Sequence, residues 1–520
     1  MIKERKYPIG IQSFADIRQE GYVYIDKTAY VYQMTHAAKY NFLSRPRRFG
    51  KSLLVSTLQA YFEGRKELFH GLAIEQMEQE WTPYPVLHID FSTSKFYSIE
   101  ELTGYIDDML EGYERVYGAS KEGQPFSIRF KNIISRAYEQ TGRKVVVLID
   151  EYDSPLFDSM EDDKLQRQIR SIVKGLLSPL KAQGSLIQFL FITGITKFSQ
   201  MSVFSELNNL RNISLLNEYA GICGITEQEL SEVFREDIAQ LAESQQQTYH
   251  EAMTKLKQRY DGYHFTAESP DIYNPFSLLN VFADRQYGSY WFSTGTPTFL
   301  ISLLQKRKLG LGDLEQIETT EDRFDQSVEQ VSDPVPVLYQ SGYLTLKNYN
   351  KENGLYTLGL PNAEVRTGFA TSLYSYYAAE YPEGKDWLYG AYLKLKANDD
   401  ITEFMEALKT FYAGIPFDLN NQNEMHYHAL FYTLLVAYGA DVQAQVRSAK
   451  GMADIVLKTP RTIYVFELKY NHSATEALSQ IKDRGYADVY LKDSRRVVCV
   501  GVSFSSKMRN ISEYKIIVVK

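Results

Sequence analysis

Five consecutive apolar residues, Val145-Val146-Val147-Leu148-Ile149, run directly into two acids, Asp150-Glu151. An unbroken apolar run of strand length leaves no solvent face, so it belongs in the interior of a sheet covered on both sides. Parallel sheets are built that way, because each crossover connection lays a helix on one face. The flanking sequence carries the matching alternation. Short β-rich runs at Asn41–Ser44, Val86–Asp90, Ile187–Thr193 and Asn212–Leu216 alternate with helical patterns at Ser52–Phe62, Ile99–Tyr117, Phe126–Thr141 and Lys164–Gln183. The expected N-terminal fold is an α/β parallel sheet.

At 520 residues the chain is too long for one core, so several domains are expected. No apolar run reaches the roughly 20 residues that cross a bilayer, and no apolar stretch follows the charged start to make a secretory signal. Two distant cysteines, Cys223 and Cys499, support neither a disulfide framework nor a zinc site. These features predict a cytoplasmic protein with no membrane partner. A net charge of -8 excludes a wholly basic coat for nucleic acid but leaves room for a local basic groove.

The pattern changes along the chain. Residues 226–285 are helical and acidic and contain Tyr260-Asp261-Gly262-Tyr263 and Tyr273-Asn274-Pro275-Phe276, as a lid or connector would. Within 286–375, Pro334–Lys347 and Leu355–Leu360 read as a helix and a β-hairpin, a small winged-helix-like unit. From 376 onward, helices give way to strands at Ala453–Leu457, Thr462–Tyr470, Arg496–Ser503 and Tyr514–Val519, with a helix at Thr475–Gly485. The expected division is therefore 1–225, 226–285, 286–375 and 376–520.

Two constellations carry chemistry. In the first, a strand–loop–helix segment ends in Gly50-Lys51-Ser52, the close of a Walker A phosphate-binding loop. Such a loop presents amides and a helix N-terminus to phosphates. Lys51 would reach the β- and γ-phosphates and Ser52 would hold Mg²⁺. Arg45 stands where the consensus has its first glycine, so the phosphate-binding loop Arg45–Phe49 is cationic through Arg45, Arg47 and Arg48, and guanidinium contacts to phosphate are expected, with Phe49 a further candidate at the nucleotide. Asp150 and Glu151 then fit a Walker B strand end, Asp150 in the Mg²⁺ shell and Glu151 as the catalytic group that orients or deprotonates water. Thr193 ends the next strand and is a candidate γ-phosphate sensor if that strand lies between the other two. No arginine finger is selected.

In the second, Asp454 is followed by a turn at Thr459-Pro460-Arg461 and then by Glu467-Leu468-Lys469. Residues two apart on a strand share a face, so Glu467 and Lys469 point the same way, and the turn brings Asp454 to them. Carboxylates and a lysine are costly to gather beside a sheet without a task. Metal-assisted phosphodiester cleavage fits, with Asp454 and Glu467 as oxygen ligands and Lys469 steadying water or phosphate. Glu424 is a further candidate ligand and Gln480 a candidate phosphate or water contact. His426 and His428 do not share a helix face and are not expected to bind metal together.

At Tyr24–Thr28, Arg45–Ser52, Leu148–Asp153, Thr193-Gly194, Tyr260–Tyr263, Tyr273–Pro275, Asp454, Glu467–Lys469 and Gln480 the chain resembles bacterial proteins that join an AAA-ATPase-like domain to a PD-(D/E)XK nuclease superfamily domain. The resemblance spans most of the chain. It implies that the arginine-rich loop is a family trait and that Asp454, Glu467 and Lys469 are the nuclease signature, supported by Glu424 and Gln480. Met452 departs from an expected arginine before Ala453-Asp454. The leading expectation is an ATPase coupled to a Mg²⁺-dependent nuclease on DNA or RNA, with Mn²⁺ an alternative at the nuclease site. The other is a nucleotide-gated sensor whose C-terminal domain binds nucleic acid or protein without cutting. A homo-oligomer is left open.

Overall fold

The computed structural model describes residues 5–160, 162–196, 210–293, 300–301, 303–304, 307, 309–326, 333–377, 384–415 and 424–520. The chain folds into two compact units. One comprises Met1–Gly295 and Glu318–Asn362, the other Thr296–Ile317 and Ala363–Lys520.

The first unit is built on β1 (Tyr40–Ser44), β2 (Val86–Asp90), β3 (Val145–Asp150), β4 (Ile187–Gly194) and β5 (Arg211–Asn212). They form one parallel sheet in the order β2-β3-β4-β1-β5. Every residue of β3 is buried, as its apolar run requires. The helices Ile99–Tyr117 and Phe126–Thr141 cross between β2 and β3 at the predicted positions. The first begins in a capping box between Ser98 and Glu101, and the second closes on Gly142 in the left-handed conformation. Two expectations shorten. The helix at Lys164–Gln183 stops at Leu177, because the proline of Ser178-Pro179 removes a backbone donor, and a separate turn covers Pro179–Ala182. Of Asn212–Leu216 only Asn212 pairs with β1, since the Asn212 side chain turns the backbone by accepting from the Ser214 amide at 3.0 Å.

Beyond the sheet, β6 (Ile225–Thr226) pairs with β7 (Ile272–Tyr273), framing helices whose buried side chains include Leu230, Ile238, Leu256 and Leu278. The chain then forms β8 (Ile317–Thr319), the helix Pro334–Gln340, and the hairpin of β9 (Thr345–Asn350) and β10 (Leu355–Gly359), in sheet order β8-β10-β9. The helix-then-hairpin reading of this stretch therefore matches the structure.

Asp261, in the Tyr260–Tyr263 stretch, is 2% exposed, and neither carboxylate oxygen has a hydrogen-bond partner. Burial pushes its pKa up to about 7. A carboxyl raised above its unfolded value stabilises the fold below the unfolded pKa, and that contribution is lost as pH rises through the folded value. Asp261→Asn removes the ionisation. The variant is expected to match the wild type near pH 4 and to exceed it by on the order of 2–3 kcal/mol above neutrality in denaturant melts. An equal or lower stability at pH 8 would count against this account.

The second unit holds a mixed sheet of β11 (Asp441–Ser448), β12 (Gly451–Lys458), β13 (Thr462–Tyr470), β14 (Arg496–Ser505) and β15 (Asn510–Val518), in sequence order. All neighbours are antiparallel except β13 and β14, whose parallel pairing needs the crossover helix Ala474–Arg484. The edge strand β11 is an addition to the sequence reading. The strand expected at Ala453–Leu457 extends to Gly451–Lys458, so Asp454 lies inside β12. No described helix is long and apolar enough to cross a membrane.

Candidate functional sites

The C-terminal ends of β1, β3 and β4 bring the first constellation together. Past β1 the chain takes left-handed turns at Arg48 and Gly50 (φ 66° and 93°) and enters the helix Lys51–Phe62. Lys51 is buried. Its Nζ donates to the carbonyl oxygens of Arg45 (2.9 Å) and Pro46 (3.1 Å) and lies 3.1 Å from the Glu151 carboxylate. Burial and then the neighbouring Glu151 charge push Asp150 up to about 7, outweighing the nearby Ser52 side chain, which lowers it. One Asp150 oxygen is buried without a partner, as is the Thr193 hydroxyl. Strand β4 does lie between β1 and β3, the arrangement on which the reading of Thr193 depended.

The arginines separate into two roles. Arg47 and Arg48 line a cleft of about 430 Å³ together with Lys51, Ser52, Glu151 and Lys95. Their guanidinium groups lie over the rings of Phe157 and Phe276 respectively. Arg45 turns inward. Its guanidinium donates to the carbonyls of Ser44 (2.9 Å), Ser214 (2.9 Å) and Tyr219 (3.2 Å) and stacks 4.2 Å from the Phe265 ring centre. Phe49 is also buried, edge-on to Tyr263 and Phe265. The expectation of phosphate contact is corrected for these two side chains, because both face the protein interior. They anchor the loop from which Arg47, Arg48, Gly50, Lys51 and Ser52 line the cleft.

Sequence reasoning passed over two acids here. Asp90 ends β2 level with Asp150, and the echo of His88-Ile89-Asp90 with Leu148-Ile149-Asp150 was its available signal. Asp153, fully buried, accepts from the backbone of Ile195 and Thr196.

In the second unit, the ladder between β12 and β13 ends at Ile455 and Phe466, so the next pair across the gap is Asp454 and Glu467. The Leu468 amide, free of the ladder, donates to Asp454 Oδ2 at 2.7 Å. Lys469 Nζ donates to Glu467 Oε1 at 2.8 Å, as two residues on one strand face should allow. Gln480 on the crossover helix donates to the same oxygen and, at 3.3 Å, to the Tyr486 hydroxyl. The other oxygen, Glu467 Oε2, is buried without a partner. Burial, then the Asp454 charge, pushes Glu467 up to about 7, and burial raises Asp454 as well.

The cluster opens on a broad cleft that Glu424, Lys469 and Gln480 line. Glu424 is exposed at the start of the helix Glu424–Ala437, near enough to raise the Asp454 pKa by its charge. Among the described residues no three His, Cys, Asp or Glu side chains gather closely enough to hold a metal ion. The two histidines of this helix meet different surroundings. Burial pushes His426 down to about 4, whereas His428 Nε2 lies 2.9 Å from the Asp454 carbonyl oxygen. Tyr486 and His428 are the supporting groups the sequence reading missed.

Comparison with known proteins finds one family match within each of the two units. A profile described as a predicted AAA-ATPase matches residues 8–204, and one for the PD-(D/E)XK nuclease superfamily matches 422–514. An uncharacterized protein in the vnfD 5′ region of Azotobacter chroococcum mcd 1 is 34% identical over 522 residues, covering 98% of each chain. The chain belongs to the AAA-ATPase-like proteins that carry a PD-(D/E)XK nuclease superfamily domain. Both family domains contain one of the clusters described above, Lys51–Ser52–Asp150–Glu151–Thr193 in the first and Asp454–Glu467–Lys469–Gln480 in the second.

Proposed function

We propose that the chain hydrolyses ATP with residues 1–225 under the 226–285 lid, and cuts DNA or RNA phosphodiesters with residues 376–520, nucleotide state controlling access to the cutting site. The observation that carries the nuclease half is the buried, unpartnered Glu467 oxygen beside Asp454, Lys469 and Gln480. A buried carboxylate oxygen with no donor is expensive unless something positive meets it. The donor set, oxygens of Asp454 and Glu467, fits a hard divalent cation such as Mg²⁺ or Mn²⁺. In the ATPase half, Ser52 and Asp150 would hold Mg²⁺ and the unpartnered Asp150 oxygen fits it equally. When bound, such an ion supplies positive charge to the phosphate and lowers the pKa of water.

The protein groups would act as follows. Lys51 exchanges its loop carbonyls for the β- and γ-phosphates, and Arg47 and Arg48 add charge at the cleft. Glu151 accepts a proton from the attacking water, and Thr193 donates to the γ-phosphate. At the other site Lys469 neutralises the scissile phosphate or orients water, while Gln480 holds the phosphate or water in line.

A matched pair of assays tests this on wild type, Lys51→Ala and Asp454→Ala. Lys51→Ala should lose ATP hydrolysis by at least about 10²-fold. Asp454→Ala should lose cleavage, retain ATPase activity and keep its circular dichroism. A wild type that leaves every form of nucleic acid intact with ATP and Mg²⁺ or Mn²⁺ would sink the nuclease half. One observation favours a second reading, a nucleotide-gated sensor that binds without cutting: among the described residues no group of three His, Cys, Asp or Glu side chains gathers at the site. That reading expects an ATP-dependent change in assembly that Asp454→Ala leaves intact.

A further inference from the structure

Asp153 is a buried carboxylate with no part in phosphate or metal binding as proposed above. It is fully buried, and its donors all lie just past the end of β4. Asp153 Oδ2 accepts from the Ile195 amide (3.0 Å), the Thr196 amide (2.6 Å) and the Thr196 hydroxyl (2.8 Å), and Oδ1 shares the Ile195 amide at 3.2 Å. Tyr152 adds two bonds, its amide to the Thr193 carbonyl and its hydroxyl to the Thr196 carbonyl, each 3.1 Å. The β3–β4 ladder ends at Ile149 and Ile192. Residues 152 and 153 therefore staple the two strand ends together a second time. Asp150, Glu151, Thr193 and Gly194 are the residues enclosed between ladder and staple.

Two further observations show that this closeness is built in. Glu151 takes a left-handed backbone conformation (φ 48°), which costs free energy for a residue with a long side chain. A Cβ on Gly194 would lie 2.4 Å from Asp153 Oδ1 and 2.8 Å from the Tyr152 ring, so only glycine admits the carboxylate. The staple and the cleft meet directly, since Glu151 and Ile195 both line the cleft that holds Lys51.

We propose that Asp153 is a positioning residue for ATP hydrolysis, fixing Glu151 against Thr193 by tying the end of β3 to the backbone of Ile195 and Thr196. This rests on the ATPase reading given above. Its specific claim is that the staple governs the chemical step and leaves nucleotide binding alone. A displacement of about 1 Å at a water-orienting group costs on the order of 10²-fold in rate.

The test uses the full chain, with ATP hydrolysis followed by phosphate release and nucleotide affinity by a fluorescent ATP analogue. Asp153→Asn keeps the volume but loses one acceptor oxygen. It should lower kcat by about 10- to 100-fold with KM and the analogue's Kd within about two-fold of wild type. Thr196→Val should lower kcat several-fold and Thr196→Ser, which restores the hydroxyl, should return it. This pair carries the test if Asp153→Asn fails to fold. Unchanged kcat in Asp153→Asn and Thr196→Val, or a Kd that weakens in step with kcat, overturns the proposal. A wild type without Lys51-dependent hydrolysis overturns the ATPase reading itself and this inference with it, an outcome distinct from the first two.

Discussion

Glu467→Gln is expected to abolish most nucleic-acid cleavage, by about 10²- to 10³-fold, while raising the thermal stability of the C-terminal unit at pH 8. The substitution keeps the volume and leaves an oxygen for Lys469 and Gln480, both of which donate to Glu467 Oε1. It removes the negative charge that the proposed chemistry needs at the unpartnered Oε2. The stability change has the opposite sign. Glu467 is 1% exposed and pushed up to about 7, so the wild-type fold is favoured by this group at low pH and loses that advantage as pH rises through the folded value. Glutamine does not titrate, so the variant's advantage should grow from pH 5 to pH 8. Calorimetric melts at the two pH values, paired with a cleavage assay, measure both effects. Loss of activity with a gain in stability excludes misfolding as the cause. Full activity in the variant would remove Glu467 from the mechanism.

Gly501→Ala is expected to unsettle the same site from behind. Gly501 pairs with Glu467 across β13 and β14, directly beneath the crossover helix. An added Cβ would lie 2.4 Å from the Ala474 carbonyl oxygen, 3.0 Å from Leu478 Cγ and 3.1 Å from Ala477 Cβ. The first of these is helix backbone and cannot rotate away, so the helix must lift. Overpacking of this kind costs about 1–3 kcal/mol. The lift would also carry Gln480 off Glu467, so cleavage should fall several-fold while ATP hydrolysis stays at the wild-type rate. Gly390→Ala is the control, because a Cβ there meets nothing within 4 Å. It should leave both activities unchanged. A Gly501→Ala chain that melts with the wild type would show that the helix yields without cost.

What could be read from the residues alone followed burial. The strand Val145–Asp150 and the crossover helices announce themselves because both sheet faces are covered and the apolar run has no gaps. The strand β11 did not. Its sequence, Asp-Val-Gln-Ala-Gln-Val-Arg-Ser, lies at a sheet edge where most side chains meet solvent, so polar residues outnumber apolar ones. The acid pair and lysine were legible because period two and one turn decide which faces meet. Asp153 was not, since its partners are main-chain amides 42 and 43 residues away, and an amide leaves no mark in a sequence. Arg45 was misassigned for a related reason. A cation beside a phosphate loop suggests phosphate, but three carbonyl oxygens can hold a guanidinium as well.

The place of β4 between β1 and β3 explains how such a loop remains serviceable. The loop that carries Lys51 and the strand end that carries Glu151 never share a ladder; one strand always separates them. Their spacing is then about two inter-strand intervals, close to 10 Å, set by main-chain hydrogen bonding. The backbone acts as a ruler, and the loop's own residues do not calibrate it. A loop can therefore exchange its first glycine for an arginine, anchored elsewhere, and the two strand ends keep their spacing.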